Sequence, residues 1–465
     1  MRGIWILALL ALTAATPPTS FVGEFDASTA AYKAHDYAGM EAHLRAALAQ
    51  RPGHPAAQYN LAAALALEGR GAEAVKALET LAAMGLDFAP EQDEDFHALA
   101  ADGAFKAVVA RFVRNRQPVG DARTVLRLTD THFIPEGVAW DQDSRSFYLG
   151  GAHARRIVRL EQRSATLDDN FVSAGVGGLL APLGMLADSR RRLLWVAHSG
   201  IAEMQNAESD ELGRAGIVGF DLGSGRARRH GWLPKDGRKH LLGDLARAEK
   251  ENLYATDSLG GVLYHFDTSS MEFKALTEPG ALLSPQGMAP AADGRTVYVA
   301  DYPRGLFAYD VDKGTLAPVE AAPGVCLYGI DGLYRYKDQL VAVQNGVRPH
   351  RVVLLTLDPG GRRVRSAYVL AASLRDMDEP TLGVVVGDRF NFVANGQWHR
   401  FDAKHQLPSR GSMSPPVVLR IALNGEHPEG EREPQRGQDR GHRAAPAPQP
   451  APSSPLPVPL PLPGR

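Results

Sequence analysis

Two periods of apolar residues divide this chain of 465 residues. Between 24 and 116 they recur every three or four positions, the spacing of one helix face. Within 55–82, Tyr59, Leu61, Ala62, Leu65, Ala74, Leu78 and Leu81 follow that spacing, and Gly69 interrupts it where a turn is needed. The segment 36–52 repeats the second half of the pattern and ends at Pro52, and Pro55 opens the next unit. A third, degenerate amphipathic stretch spans 96–115. Helix pairs with short turns are predicted, the small Ala62 and Ala74 allowing close approach.

From Val125 onward the period changes. Short runs of β-branched and alternating residues are separated by Gly, Asp and Asn turns, the pattern of strands. One local phrase returns six times, with Gly137, Gly184, Asp244, Gly287, Gly332 and Gly383 as equivalent points. The spacings are 47, 60, 43, 45 and 51 residues. A hydrophobic strand follows each phrase: 147–151, 194–200, 253–261, 297–305, 340–346 and 390–398. Four-stranded units of this length cannot bury both faces alone, whereas stacking them round an axis does so and leaves few open edges. The fold class is therefore mainly β, a six-bladed β-propeller behind an N-terminal α-helical domain. The longest spacing is assigned to a loop at 201–216. The strand 417–423 is expected to close the ring near Val125–Leu128.

The ends of the chain read differently. Arg2 followed by an apolar run to Leu12 and small residues to Thr16 reads as a secretory signal over 1–20. It is too short for a comfortable membrane span. A retained anchor helix is the alternative. Eleven of the 32 prolines lie between Pro428 and Pro463, so 425–465 is expected to be disordered or polyproline II. The expected domains are thus a signal at 1–20, helical repeats at 24–116, a propeller at 121–424 and the tail. The expected location is periplasmic or secreted, with no membrane attachment after signal cleavage.

Composition narrows the chemistry. A formal net charge of −2 removes the electrostatic case for nucleic-acid binding. The single cysteine excludes an intramolecular disulfide framework and cysteine-ligated metal centres. There is no Gly-x-Ser-x-Gly elbow and no Gly-rich dinucleotide motif.

Equivalent positions of innermost propeller strands converge on one axis. Here they offer Glu136, Asp244, Gln286 and Asp331, all oxygen donors and three of them carboxylates. Like charges so gathered repel unless neutralised. A divalent cation would neutralise them, and oxygen ligands favour Ca²⁺, Mg²⁺ or Mn²⁺ over Zn²⁺; Ca²⁺ is the expected ion. The alternative is that these carboxylates only cap strands and turns. Asn345 and Asn395 hold the same strand position as Asp257 and Asp301. The asparagines are assigned to substrate binding, with Asx turns as the alternative, and the aspartates to turns. Arg348 is assigned to an anionic substrate, with a solvated side chain as its alternative. His198, His350 and His399 lie near strand ends, either facing the tunnel mouth or on surface loops.

The motifs PEGVAWD (135–141), LYATDS (253–258), SPQG (284–287), YVADYPRG (298–305) and GIDGLY (329–334) resemble the senescence marker protein/gluconolactonase family. More distantly they are similar to serum paraoxonases and strictosidine synthase-like propellers. The likeness spans 125–424. It implies a metal in the tunnel, held by Glu136 and Asp331, with Gln286 standing where an Asn is usual. It also implies that Asp331 is a candidate catalytic base and that the substrate is a small-molecule lactone or ester. Leu183 stands where the paraoxonase-like relatives carry a His, so a His-dyad mechanism is not implied. The helical stretch resembles the tetratricopeptide repeat, which implies a possible protein partner; packing on the next domain is the alternative. Two functions follow: a metal-dependent hydrolase, or a non-catalytic binding and scaffold propeller.

Overall fold

The computed structural model describes residues 20–424. The expected signal at 1–20, except Ser20, and the expected tail at 425–465 lie outside them.

Five helices come first: α1 (Phe21–Lys33), α2 (Tyr37–Gln50), α3 (Pro55–Leu67), α4 (Gly71–Ala83) and α5 (Gly103–Asn115). Their starts are marked by side chains that take up otherwise unpaired amide groups. Ser20, Asp36, His54 and Asp102 each accept from a backbone N–H in the first turn. Gly69 and Gly85 end α3 and α4 at φ +76° and +70°, a conformation glycine adopts without cost. The helices pair in sequence order, which fits the periodic pattern, and the structure adds α1 as the partner of α2.

No open groove runs along α3. Within it only Gln58 and Leu67 escape full burial. The chain's own segment after α4 covers one side: Tyr59 stacks on Phe88 at 4.7 Å, meets Phe96 at 5.5 Å, and donates its hydroxyl to Asp93 at 2.7 Å. The bundle also packs on the propeller, since Cys326, Tyr328 and Val347 share its core.

Six sheets follow, antiparallel except that in the fifth the short strand Glu320–Ala321 pairs in parallel with Arg363–Ala372. Blades 1 to 5 start with the innermost strands Pro135–Asp141, Ala181–Asp188, Leu242–Arg247, Pro285–Pro290 and Ile330–Tyr336. The sixth is composite. Gly383–Val386, Arg389–Val393 and Val417–Ala422 are completed by Arg123–Arg127, with Thr124 opposite Leu419 and Arg127 opposite Val417. The ring closes as the sequence suggested. Fusing the first and last strands removes the edges that an open sheet would expose.

The core is divided into wedges between adjacent blades. Tyr148 and Phe171 of blade 1 meet Val196 and Phe220 of blade 2, and Val353 and Leu355 of blade 5 meet Tyr298 and Ala300 of blade 4. The repeated phrase is the point where neighbouring inner strands nearly touch. In blades 1 to 5 a bulge interrupts the ladder there. A side chain on Gly137 would overlap the carbonyl of Leu183 in the next blade. Among the described residues no helix is long and apolar enough to cross a membrane.

Candidate functional site

The bulges turn the residues beside them toward the axis. Glu136, Asp244, Gln286 and Asp331 come from blades 1, 3, 4 and 5. Asp244, Gln286 and Asp331 are buried, while Glu136 keeps some surface open to the tunnel deep among protein atoms.

Each carboxylate is held away from its usual acidity. Burial pushes Glu136 well above the carboxylate range; the charges of Asp331, Glu379 and Asp244 add to this, and a hydrogen bond from Trp398 opposes it. Burial, with the charge of Asp331, raises Asp244 to about 8. Asp331 is pushed up to about 7 by burial, opposed by Asn345 and assisted by the charge of Glu379. Glu136 and Asp331 therefore lie within each other's electrostatic reach.

The hydrogen bonds fix these groups differently. Trp398 donates its indole N–H to Glu136 Oε2 at 2.7 Å. Asp244 accepts from the Leu245 amide through Oδ1 at 2.8 Å, whereas its Oδ2 is buried without a partner. Gln286 donates Nε2 to Ser284 at 3.0 Å, which leaves its Oε1 on the side of Gly243, next to Asp244. Asn345 donates to Asp331 Oδ2 at 2.6 Å and to the Pro380 carbonyl at 3.0 Å, and its own oxygen accepts from the Tyr302 hydroxyl at 2.9 Å.

Other sequence-assigned residues fall elsewhere. Asn395 is spent on backbone, donating to the Pro415 carbonyl and accepting from the Val417 amide, both at 2.8 Å. Asp257 and Asp301 brace turns: Asp257 accepts from Leu241 and Gly260, and Asp301 from Leu283 and Ser284. Arg348 is exposed, and its carbonyl accepts from Asp87 of the helical domain at 2.8 Å. His198 is buried against His230, His350 accepts from the Glu379 amide, and His399 pairs with the Glu379 carboxylate at 3.0 Å.

Four residues of this region are not among the expected site residues: Trp398, Glu379, Tyr302 and Tyr334. Tyr334 stands close enough to all three axial carboxylates for their charges, added to burial, to hold its phenol proton far above the usual range. Its oxygen accepts from the Gly383 amide at 2.7 Å.

Can these residues hold a cation? The donors are all oxygens, the negative charge is in excess, and one buried carboxylate oxygen is orphaned. That is the chemistry of a hard divalent ion's site. Among the described residues, no three His, Cys, Asp or Glu side chains are gathered closely enough to hold an ion by themselves. The Gln286 carbonyl, backbone oxygens or water would have to contribute.

Many solved structures are similar to this chain, among them the following three. A luciferin-regenerating enzyme matches at 14% identity over 66% of this chain and 96% of that one, with a TM-score of 0.46. The calcium-binding protein regucalcin from Agrobacterium tumefaciens matches at 15% over 64% and 93%, TM-score 0.45. A putative gluconolactonase matches at 13% over 66% and 94%, TM-score 0.44. The likeness is one of fold. No family profile and no curated protein matches this chain.

Proposed function

We propose that this protein is an exported, cation-dependent hydrolase that opens a lactone or cleaves a related ester at the propeller axis. The observation that carries the reading is the convergence of Glu136, Asp244 and Asp331 from three blades, with Asp331 held by Asn345. Buried carboxylates whose acidity is shifted by burial and by each other are the mark of a working site rather than of strand capping.

Glu136, Asp244, Gln286 and Asp331 would hold the cation, with Ca²⁺ the favoured ion. When bound, such an ion polarises a carbonyl and stabilises the oxyanion that forms on it. The chain's own part is proton handling. Asp331 takes a proton from water as the water oxygen attacks the carbonyl carbon. The bond from that carbon to the ring or ester oxygen then breaks, and the departing oxygen takes the proton from Asp331. Asn345 fixes the carboxylate plane throughout. Export rests on the signal pattern at 1–20.

The test is metal analysis of the purified full-length protein together with a lactone and ester panel, run on wild type and Asp331→Ala. The expected result is bound divalent ion, hydrolysis of at least one panel member, and loss of that activity by at least 100-fold in the variant. Activity unchanged in Asp331→Ala removes its assigned role.

A further inference from the structure

Among the described residues, seven hydrophobic clusters pack blade against blade or build the helical bundle. An eighth joins the ends of blades 1 and 2 to two loops. In it Leu180, Leu183 and Met204 are buried, and Ile201, Leu241 and Trp398 lie half-buried against them.

Three contacts place this cluster beside the axial carboxylates. Trp398 donates to Glu136. The Leu183 carbonyl abuts Gly137, the neighbour of Glu136. Leu241 and Gln286 Oε1 both flank Gly243, which precedes Asp244.

Two long loops complete the cluster: 200–214 in blade 2 supplies Ile201 and Met204, and 394–416 in blade 6 supplies Trp398. They are tied to each other and to blade 1. The Gln205 amide donates to the His153 carbonyl at 2.9 Å, and His405 Nδ1 meets Glu203 at 2.7 Å. The residues that blades 4 and 5 bring to the site are polar: Tyr302, Asn345 and His350, with Glu379 between them and Trp398. The candidate site thus has one carbon wall and one polar wall.

We infer that the substrate carries an apolar alkyl or aryl group that rests on Ile201, Leu241 and Trp398, while its carbonyl reaches the carboxylates. A polyhydroxylated lactone would lay hydroxyls against carbon there and lose their hydrogen bonds to water. This inference rests on the hydrolase reading above.

The experiment compares δ-decalactone, which bears a pentyl chain, with unsubstituted δ-valerolactone and glucono-δ-lactone. The pentyl lactone is expected to exceed both in kcat/KM by at least about tenfold. In Ile201→Ser and Leu241→Asn that ratio falls toward one, chiefly through KM. Ile201→Met, which keeps an apolar side chain, retains it and guards against a general folding defect. Equal kcat/KM values in wild type, or a ratio untouched by the polar variants, would overturn the inference. If no lactone is hydrolysed, the hydrolase reading fails, and the corresponding δ-lactams decide the wall separately by calorimetry. Binding of the pentyl lactam at least about tenfold tighter than the bare lactam, lost in Ile201→Ser, supports it; equal or undetectable binding overturns it.

Discussion

Arg351 of blade 5 donates to the carbonyl of Met84 at the end of α4, 2.8 Å away across the junction of the two domains. The side chain is fully buried, yet the oxygens that meet it are neutral: Met84, Gly85 and the amide of Gln344. A cation at a helix C-terminus meets the negative end of the backbone dipoles, which offsets part of its desolvation. Arg351→Met keeps most of the volume and leaves three buried acceptors without their donor. The expected loss is about 2–4 kcal/mol in urea denaturation. Limited proteolysis should then cut first in the connection 116–122, where the helical domain has come loose.

Buried His198 and half-buried His230 meet through their Nε2 atoms at 3.0 Å. The Leu180 amide donates to His198 Nδ1, so His198 carries its proton on Nε2 and donates to His230. Burial pulls both pKa values down, His198 farthest, and Arg214 adds to the effect. A neutral pair of this kind gives its full stability above the unfolded value of about 6.5 and loses it as pH falls toward the folded values. His54 and His350, both lowered to about 3, act in the same sense. Each such histidine should withdraw stability below pH 6.5, by up to about 1.4 kcal/mol per pH unit when fully buried, while the raised axial carboxylates, protonated in the folded state, act in the opposite sense over the same range. Tm measured from pH 7.5 to 5.0 should therefore be lowered less by acid in His198→Gln than in wild type.

Gly137→Ala is expected to cost about 3 kcal/mol or more, because the new methyl meets backbone rather than a movable side chain. Gly387→Ala serves as control: no atom lies within reach of the methyl, so only its positive φ costs anything, about 1–2 kcal/mol. Thermal unfolding should show a larger drop for Gly137→Ala than for Gly387→Ala.

The axial carboxylates oppose one another when no cation is bound. Asp244→Asn removes one buried charge and the orphaned anionic oxygen. In EDTA at pH 9, above the value of about 8 to which burial raises Asp244, the variant should melt a few degrees higher than wild type, since function and stability conflict at such sites. Added calcium should raise the wild-type Tm and reverse the order. Calcium that leaves wild type unmoved would argue against the ion proposed here.

The architecture was legible because the repeated phrase does the same work in each blade: it carries a bulge and a close approach, and both demand small or turn-forming residues. The same recurrence pointed to Glu136, Asp244 and Asp331. The partners were hidden. Trp398 reaches Glu136 from a loop 262 residues away, and no local period announces such a contact. Asn345 and Asn395 occupy equivalent strand positions, but Pro415 and Val417 claim the second while Asp331 and Tyr302 claim the first. The face of α3 that a protein partner would need is covered by Phe88 and Phe96, which nothing in the spacing of the helical pattern assigns to that contact.

The composite sixth blade sets a schedule for synthesis. Arg123–Arg127 leaves the ribosome nearly 300 residues before Val417–Ala422. At ordinary translation speeds that is a wait of roughly 15–60 s. Throughout it the nascent chain holds an unclasped strand and an open arc of blades, each offering an edge to other chains. The helical domain, complete from the outset and joined directly to that strand, is the first folded body available to shield it.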